Sequence, residues 1–274
     1  MAKGTNSQER VSFQRRREFP GIEVRSVEDS GDFRHYTPDY EFLCVGTWRG
    51  EIGRRHRSVL LDETGLVCSQ PGEVVWGRSL TGGSRISLCI ERDVLAAQLS
   101  EHGIDLANVR LKPFTRMSPR LRECLQRVLA AMDPSAARAE LQTSLSEFVG
   151  VIASELIEGA SNPSVRFASG RRDAERVREY LQNDPSVNVD LASVAKQMGV
   201  SRFRALRVFK RWYGLPPHAY QLRVRLGLVQ KSLRDGLKPA EAAAEFGFFD
   251  QSHLTRHFRR LFGVTPAAYA RIGG

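Results

Sequence analysis

Between Asp190 and Gly263 one pattern is written twice, and it constrains the fold more than any other feature of the chain. In the first copy Asp190 opens LASVAKQMG, Gly199-Val200 makes a turn, and Ser201 opens SRFRALRVFKRWYG. In the second copy Lys238-Pro239 opens PAEAAAEFG, Gly247 makes the turn, and Asp250 opens DQSHLTRHFRRLFG. Ser and Asp accept the free N–H groups of a first helical turn, and Gly supplies the left-handed residue that ends a helix. Apolar residues recur every three or four positions. They are Leu191, Val194, Ala195 and Met198, then Ala205, Val208, Phe209 and Trp212, then Ala242, Ala243 and Phe246, then Leu254, Phe258 and Leu261. The openings Ser201 and Asp250 lie 49 residues apart, and the copies close on FKRWYG and FRRLFG. Pro216-Pro217 sets the start of a long helix between them, with Tyr220, Leu226, Val229 and Leu233 on its buried side and Asp235-Gly236 at its end. An earlier helix, from about Arg171 to Asn183, packs through Ala174, Val177 and Leu181. The pattern predicts an all-α domain over residues 171–274 built from two helix-turn-helix units.

Charge follows the same division. The 274 residues carry a net charge of +10. Residues 166–274 hold 20 Lys/Arg against 9 Asp/Glu, so the part before them is close to neutral. A basic excess confined to one domain points to nucleic acid. Charge alone also admits an acidic partner or an anionic membrane surface. The faces left exposed suit duplex DNA. They offer Ser201, Arg202, Phe203, Leu206, Arg207 and Lys210 in the first unit and Gln251, Ser252, His253, Thr255, Arg256 and Arg259 in the second. Arg binds guanine bidentately, Gln reads adenine, and helix N-termini hold phosphates. The rival reading is a helical protein-interaction domain with a basic solvated face. No run approaches the roughly 20 apolar residues of a membrane span. MAKGTNSQERVSFQRRREF has no apolar core of a secretory signal, so a cytoplasmic location is expected. Four cysteines do not make a disulfide framework.

Residues 1–20 are expected to be disordered or flexible. From Ile22 to Ile90 short alternating runs predict strands: IEVRSV, DYEFLCVGTWRG, RSVLLDE, GLVCSQPGEVVWG and SRISLCI. GLVCSQPGEVVWG reads as strand, turn, strand about Pro71-Gly72. Asp93 is placed as the cap of a short helix that stops at Gly103. Ser118-Pro119 opens a helix carrying Leu121, Leu125, Val128 and Met132, and Asp133-Pro134-Ser135 breaks it. The next helix carries a stripe of Leu141, Leu145, Phe148, Ile152 and Leu156. That stripe packs either on the β-domain or on a second copy. The dense Gly, Ser, Asn and Pro of 158–172 mark a linker, placed at 161–170 between a domain of 21–160 and the helical one.

An enzymatic site is not visible. His35, His56 and His102 are isolated, which leaves no metal-ligand set. His35 and Glu41 are near enough in sequence to meet at a pocket mouth. Cys44, Cys68 and Cys89 fall in strands, where a reduced thiol acts as a small hydrophobe. No phosphate-binding glycine loop or nucleophile triad is present. No catalytic residue, metal or cofactor is assigned.

Residues 170–271 resemble the DNA-binding domain of the AraC/XylS transcription regulators. The resemblance rests on DLASVAKQMGVSRFRALRVFKRWYGLPPHAYQLRVRLGLVQKSL and AEAAAEFGFFDQSHLTRHFRRLFGVTPAAYAR. It implies two recognition helices entering successive major-groove segments, with base-facing candidates Phe203, Leu206 and Arg207, then Gln251, Ser252, His253 and Arg256. Arg225 matches a characteristic arginine of the linking helix, a position that fixes structure or phosphate. Gly227 departs from a good helix former and should cost about 1 kcal/mol relative to Ala. More weakly, HYTPDYEFLCVGTWRGEIGRRHR and PGEVVWG resemble the family's cupin-like barrel, followed by a helical hairpin. That resemblance implies a two-domain bacterial regulator in which a cupin-like barrel with a helical hairpin precedes the double helix-turn-helix domain. A small effector would be held by Tyr36, Tyr40, Trp48, Arg49 and Trp76, and a homodimer formed through Leu141, Leu145, Phe148 and Ile152. The expected partners are double-stranded DNA and RNA polymerase, with activation the expected sign. The alternative is a regulator without an effector, controlled by protein contact or abundance. A metal-free barrel enzyme fused to a DNA domain stays as a third class.

Overall fold

The computed structural model describes residues 10–28, 30–54, 57–108, 110–158, 171–183, 185, 190–197 and 199–272. The N-terminal domain opens with nine strands: β1 (Arg10–Arg15), β2 (Ile22–Glu28), β3 (Phe33–Thr37), β4 (Tyr40–Val45), β5 (Arg49–Arg54), β6 (Arg57–Leu61), β7 (Gly65–Ser69), β8 (Glu73–Gly82) and β9 (Arg85–Ile90). After them come α1 (Arg92–Glu101), β10 (Arg110–Leu111), β11 (Phe114–Arg116), α2 (Pro119–Ala131), α3 (Arg138–Glu155) and β12 (Ile157–Glu158). The second domain is helical: α4 (Arg171–Asn183), α5 (Leu191–Gln197), α6 (Arg202–Tyr213), α7 (Pro217–Arg234), α8 (Pro239–Glu245), α9 (Gln251–Phe262) and α10 (Pro266–Ala270).

The strands do not close into a barrel. They divide into a six-stranded antiparallel sheet, β1-β2-β9-β4-β7-β11, and a four-stranded one, β3-β8-β5-β6, with β10 and β12 paired apart. No ladder joins the two larger sheets among the described residues. The expected strand, turn, strand about Pro71-Gly72 is present, and the turn is a crossing point between the sheets: β7 pairs with β4 and β11, β8 with β3 and β5. The six-stranded sheet is covered on both faces. Phe42, Leu66, Leu88 and Ile90 point into a core shared with α1, α2 and α3. Leu43, Val45 and Val67 point into a second core with Ile52 and Val75 of the other sheet and Trp48 of the loop before β5. Double burial explains why Phe42, Leu43, Cys44 and Val45 run apolar without alternation, while the one charge of the strand, Glu41, is buried against His35.

Three expectations are corrected here. Residues 10–15 are not disordered: β1 pairs along its whole length with β2, from Arg10 opposite Glu28 to Arg15 opposite Glu23. Residues 1–9 lie outside the described residues, as does the 161–170 linker. The stripe Leu141, Leu145, Phe148 and Ile152 is not a free face, since each is at most 3% exposed in the single chain. Phe148 packs edge-on to Phe42 at 5.2 Å, so the stripe is spent on its own sheet. Finally, Glu91 rather than Asp93 occupies the cap of α1, and Asp93 lies inside the first turn. Ser118 does cap α2, accepting from Leu121 N at 3.0 Å.

The two domains are docked. Gln230 of α7 donates to Glu23 Oε1 at 3.1 Å and to the Tyr269 hydroxyl at 2.9 Å. The Tyr269 hydroxyl donates to Glu23, and Arg15 lies over the Tyr269 ring at 4.5 Å. Arg234 pairs with Asp39 at 2.9 Å and Glu91 at 3.0 Å. Near the start of α7, the Tyr220 hydroxyl donates to Gly72 O at 2.9 Å and its ring meets Tyr36 edge-on. At the end of the first unit, Arg34 donates to Gly214 O at 3.0 Å. The N-terminal domain thus grips the linking helix at both ends, together with α10 and the close of α6.

Candidate nucleic-acid interface

Each unit is built from local chemistry. In the first, Asp190 Oδ1 accepts from Ala192 N at 2.9 Å, and Gly199 turns the chain at φ +66°. Ser201 Oγ accepts from Arg204 N at 3.2 Å to start α6, and Gly214 ends it at φ +71°. Ala205, Phe209 and Tyr213 bury one side of α6 against Ala174, Val177 and Leu181 of α4. The other side is open. Ser201, Arg202, Arg207 and Lys210 are exposed, Leu206 is half-buried, and Phe203 is 82% exposed. Met198 lies outside the described residues, and nothing is assigned to the side chain of Leu191.

The second unit repeats this. Asp250 Oδ1 accepts from His253 N at 2.6 Å to start α9, and Gly263 ends it at φ +80°. Leu254, Phe258 and Phe262 are buried. On the outer side Gln251, Ser252, Thr255, Arg256, Arg259 and Arg260 line one open groove of about 710 Å³. Two candidates from the sequence are already engaged. The Thr255 hydroxyl donates to Gln251 O at 2.8 Å. His253 Nδ1 accepts from Phe249 N at 3.3 Å, and its ring meets His257 at 4.7 Å. Both residues therefore serve the helix before any ligand. Burial, then His253, Arg256 and Arg260, lower the His257 imidazole from its ordinary value.

Arg225 settles on structure. It is buried and donates to Pro185 O and, at 3.3 Å, to Gly247 O, tying the turn of the second unit to the loop before the first. Three exposed residues were missed from sequence. Arg260 lines the groove, Arg204 pairs with Asp173 at 3.5 Å, and Phe249 is 91% exposed immediately before the Asp250 cap. The doublet Phe248-Phe249 in a two-residue turn was the available signal, because only one side chain of such a pair can point inward. Phe248 is the buried one.

The expected effector residues do not converge on a cavity. Trp48 is fully buried between the sheets and donates to Gly31 O at 3.3 Å. Tyr40 lies in the core under the helices, and Tyr36 is buried against Tyr220. Burial pushes the Tyr36 hydroxyl up to about 12. Arg49 donates to Gly46 O at 2.7 Å and Trp48 O at 2.9 Å and pairs with Glu63. Trp76 packs over Gly53, where a Cβ would stand 2.1 Å from the ring. They are aromatic core and loop ties, the reading that burial favours for such residues.

His35 and Glu41 do meet. Their side chains bond at 2.7 Å and both are buried. Burial would raise the Glu41 carboxyl, but His35 and a hydrogen bond from Ser87 bring it down to about 2. Burial pushes His35 below the usual histidine range against the pull of Glu41. Among the described residues no group of three or more His, Cys, Asp or Glu could hold a metal ion. Burial raises the thiols of Cys44 to about 11 and Cys68 to about 12, far from thiolate chemistry. No helix of the described residues is long and apolar enough to cross a membrane.

Residues 194–272 match the family described as a helix-turn-helix domain. The chain is 35% identical over 82 residues to an HTH-type transcriptional regulator, YbfI, of Bacillus subtilis, covering 30% of each chain. It is 32% identical over 93 residues to an AraC-like transcription regulator of Streptomyces antibioticus, covering 34% of this chain and 31% of that one. It is 25% identical over 186 residues to the thermoregulatory protein LcrF of Yersinia pestis, covering 68% of each. The chain therefore spans about a third of the length of the first two relatives. The whole fold is similar to an unsaturated-fatty-acid-bound structure of ToxT from Vibrio cholerae, with TM-score 0.52, 13% identity, 97% of this chain and 95% of that one.

Proposed function

From an AraC/XylS-type helix-turn-helix domain at the C-terminus of a two-domain, ToxT-like fold, we propose that the chain is a sequence-specific DNA-binding transcription regulator. One observation carries this reading. Two capped helices, each ended by a left-handed glycine, hold exposed basic faces in one positively charged domain and are joined by the single helix α7. Arg207 and Arg256 suit guanine edges, Gln251 suits adenine, and Phe203 suits a thymine methyl. Lys210, Arg259 and the free N–H groups of the two helix starts suit phosphates.

The finer reading is a cytoplasmic activator that binds promoter DNA as a homodimer and contacts RNA polymerase. The buried Leu141 stripe leaves the outer face of the α2–α3 hairpin as the surface available to a second copy. The fatty acid bound by the ToxT neighbour supports a small effector here as well. The burial of Tyr36, Tyr40 and Trp48 favours the domain boundary over the sandwich as the seat of such an effector. The direct grip of Glu23 on Tyr269 favours a second reading, in which the docked state needs no effector.

Selection of binding sites from random duplex DNA tests the main claim. A defined motif is expected, with affinity falling steeply as salt rises because phosphate contacts release counterions. Binding without preference over random duplex at moderate salt would sink it. A thermal-shift panel of metabolites separates the effector-gated form from the second reading.

A further inference from the structure

A cavity of about 630 Å³ lies between the domains, and its charge is one-sided. Arg25, Arg34 and Arg85 reach it from the two sheets, and Arg223 and Arg260 reach it from α7 and α9. Asp32 is the one carboxylate among its lining residues. Five guanidinium groups facing one carboxylate leave a strong positive field in a half-enclosed space, where Coulomb repulsion is screened far less than in water. The field is felt. Burial lowers the Arg223 guanidinium to about 10, and Arg34 and Arg260 push in the same direction.

The wall is also built to bond. Arg25 and Arg85 are buried, at 9% and 3% exposure. Arg85 is held by Ser30, which accepts from its Nε at 2.8 Å, and by the Phe33 ring, 4.0 Å from its Cζ. Two buried polar atoms of lining residues, Arg25 Nε and His35 Nδ1, have no hydrogen-bond partner among the described residues. His35 cannot turn away, because its Nε2 is committed to Glu41. Unmet buried polar atoms are costly and call for a partner. The remainder of the wall, including Leu222 and Leu226, is apolar.

We infer that this cavity is a binding site for a phosphate monoester carried on a compact apolar body, with its phosphate bridging arginines of both domains. A monocarboxylate would offset one of the charges and reach few of the forks. A phosphate dianion presents three oxygens to guanidinium groups arriving from different directions, the geometry that arginine recognises best. The volume suits a small organic ligand. Arg260 lines both this cavity and the groove on α9. The ligand and a DNA phosphate would therefore draw on one side chain, which couples the two sites. That coupling rests on the DNA-binding reading; occupancy of the cavity does not.

The test uses the full chain without DNA, in 0.15 M salt, titrated calorimetrically with phenyl phosphate, inorganic phosphate, hexanoate and succinate. Saturable binding of phenyl phosphate is expected, tighter than that of the other three. Arg223→Gln and Arg260→Gln should each weaken it about tenfold or more, as loss of a charge-assisted bond does. Arg211→Gln, on α6 away from the cavity, should leave it unchanged. Hexanoate or succinate binding as tightly as phenyl phosphate, no saturable binding, or equal affinity in all three variants would each overturn the proposal. DNA binding by the same variants is measured separately, so its failure is told apart from an empty cavity.

Discussion

Gly227 of α7 faces Pro38 of the N-terminal domain so closely that a Cβ on the glycine would stand 3.0 Å from the proline Cβ and 3.2 Å from the Tyr36 ring. In an isolated helix this glycine costs about 1 kcal/mol relative to alanine. Here it is a notch that lets the turn after β3 seat on the linking helix. Gly227→Ala should therefore improve the helix and loosen the docking. Small-angle scattering is expected to report a larger radius of gyration, with a lower midpoint of thermal unfolding. An unchanged radius with a raised midpoint would mean that Pro38 yields.

Burial raises the Glu23 carboxyl above its ordinary value of 4.5, against the pull of Arg234, Tyr269 and Arg15. A carboxyl raised in the folded state favours folding most when protonated. Its contribution is full below about pH 4.5 and declines as pH climbs through the folded value. Replacing Glu23 by Gln removes that slope. The melting-temperature difference between Glu23→Gln and wild type should move in favour of the variant as pH rises from 4.5. A pH-independent difference would show the charge to be fully compensated by Arg15 and Arg234.

Arg256 is exposed in the groove on α9 and forms no ion pair among the described residues. Arg256→Ala should weaken specific binding by about 1–3 kcal/mol and relax preference at one base pair, measured by competition over single-base variants of the selected site. A loss spread evenly over all sequences would assign it to a phosphate.

Phe203 and Phe209 share α6 but not an environment, at 82% and 0% exposure. Phe203→Ala should leave the melting temperature within about 1 °C, since surface changes are near neutral. It should also erase discrimination between thymine and uracil at one position of the site. Phe209→Ala should cost about 3–5 kcal/mol of stability, because it empties the core of the first unit.

Leu145→Ala and Phe148→Ala should each destabilise the N-terminal domain by about 2–5 kcal/mol, read by denaturant unfolding. Sedimentation would report a monomer shift at native stability if the stripe faced a second copy instead. Their burial against Phe42 argues for the first outcome.

The helical half was legible because its signals are local. Ser201 and Asp250 cap the helices they precede, and glycines end them, within a few residues of sequence. The strands β2, β4, β6, β7, β8 and β9 were legible for the same reason, but β3 fell between the apolar runs, most of β5 ran past the end of one, and the division of strands between sheets was not legible. Nothing in GLVCSQPGEVVWG says that its halves pair with partners in different layers. The strand Arg10–Arg15 was hidden because four of its six residues are polar and Phe13, of its apolar pair, is covered by Tyr269 of the helical domain. Phe13 meets Tyr269, 256 positions away, and Glu23 meets the same tyrosine. Buried charge of this kind reads as solvated surface until its partner is known. The aromatic residues expected at a pocket are not separable from core residues in sequence, because an interior position and a ligand-facing one demand the same side chains.

The edge-on packing of Phe13 against Tyr269, 5.0 Å between ring centres, has a consequence for biosynthesis. Chains emerge from the ribosome N-terminus first, at about 5–20 residues per second. The strand Arg10–Arg15 therefore waits many seconds with its outer face uncovered, because the tyrosine that covers it is translated 256 residues later. Truncation after α9 would release a chain whose reading helices are complete and whose opening strand is bare, and that strand rather than the missing helix would be the seed of aggregation.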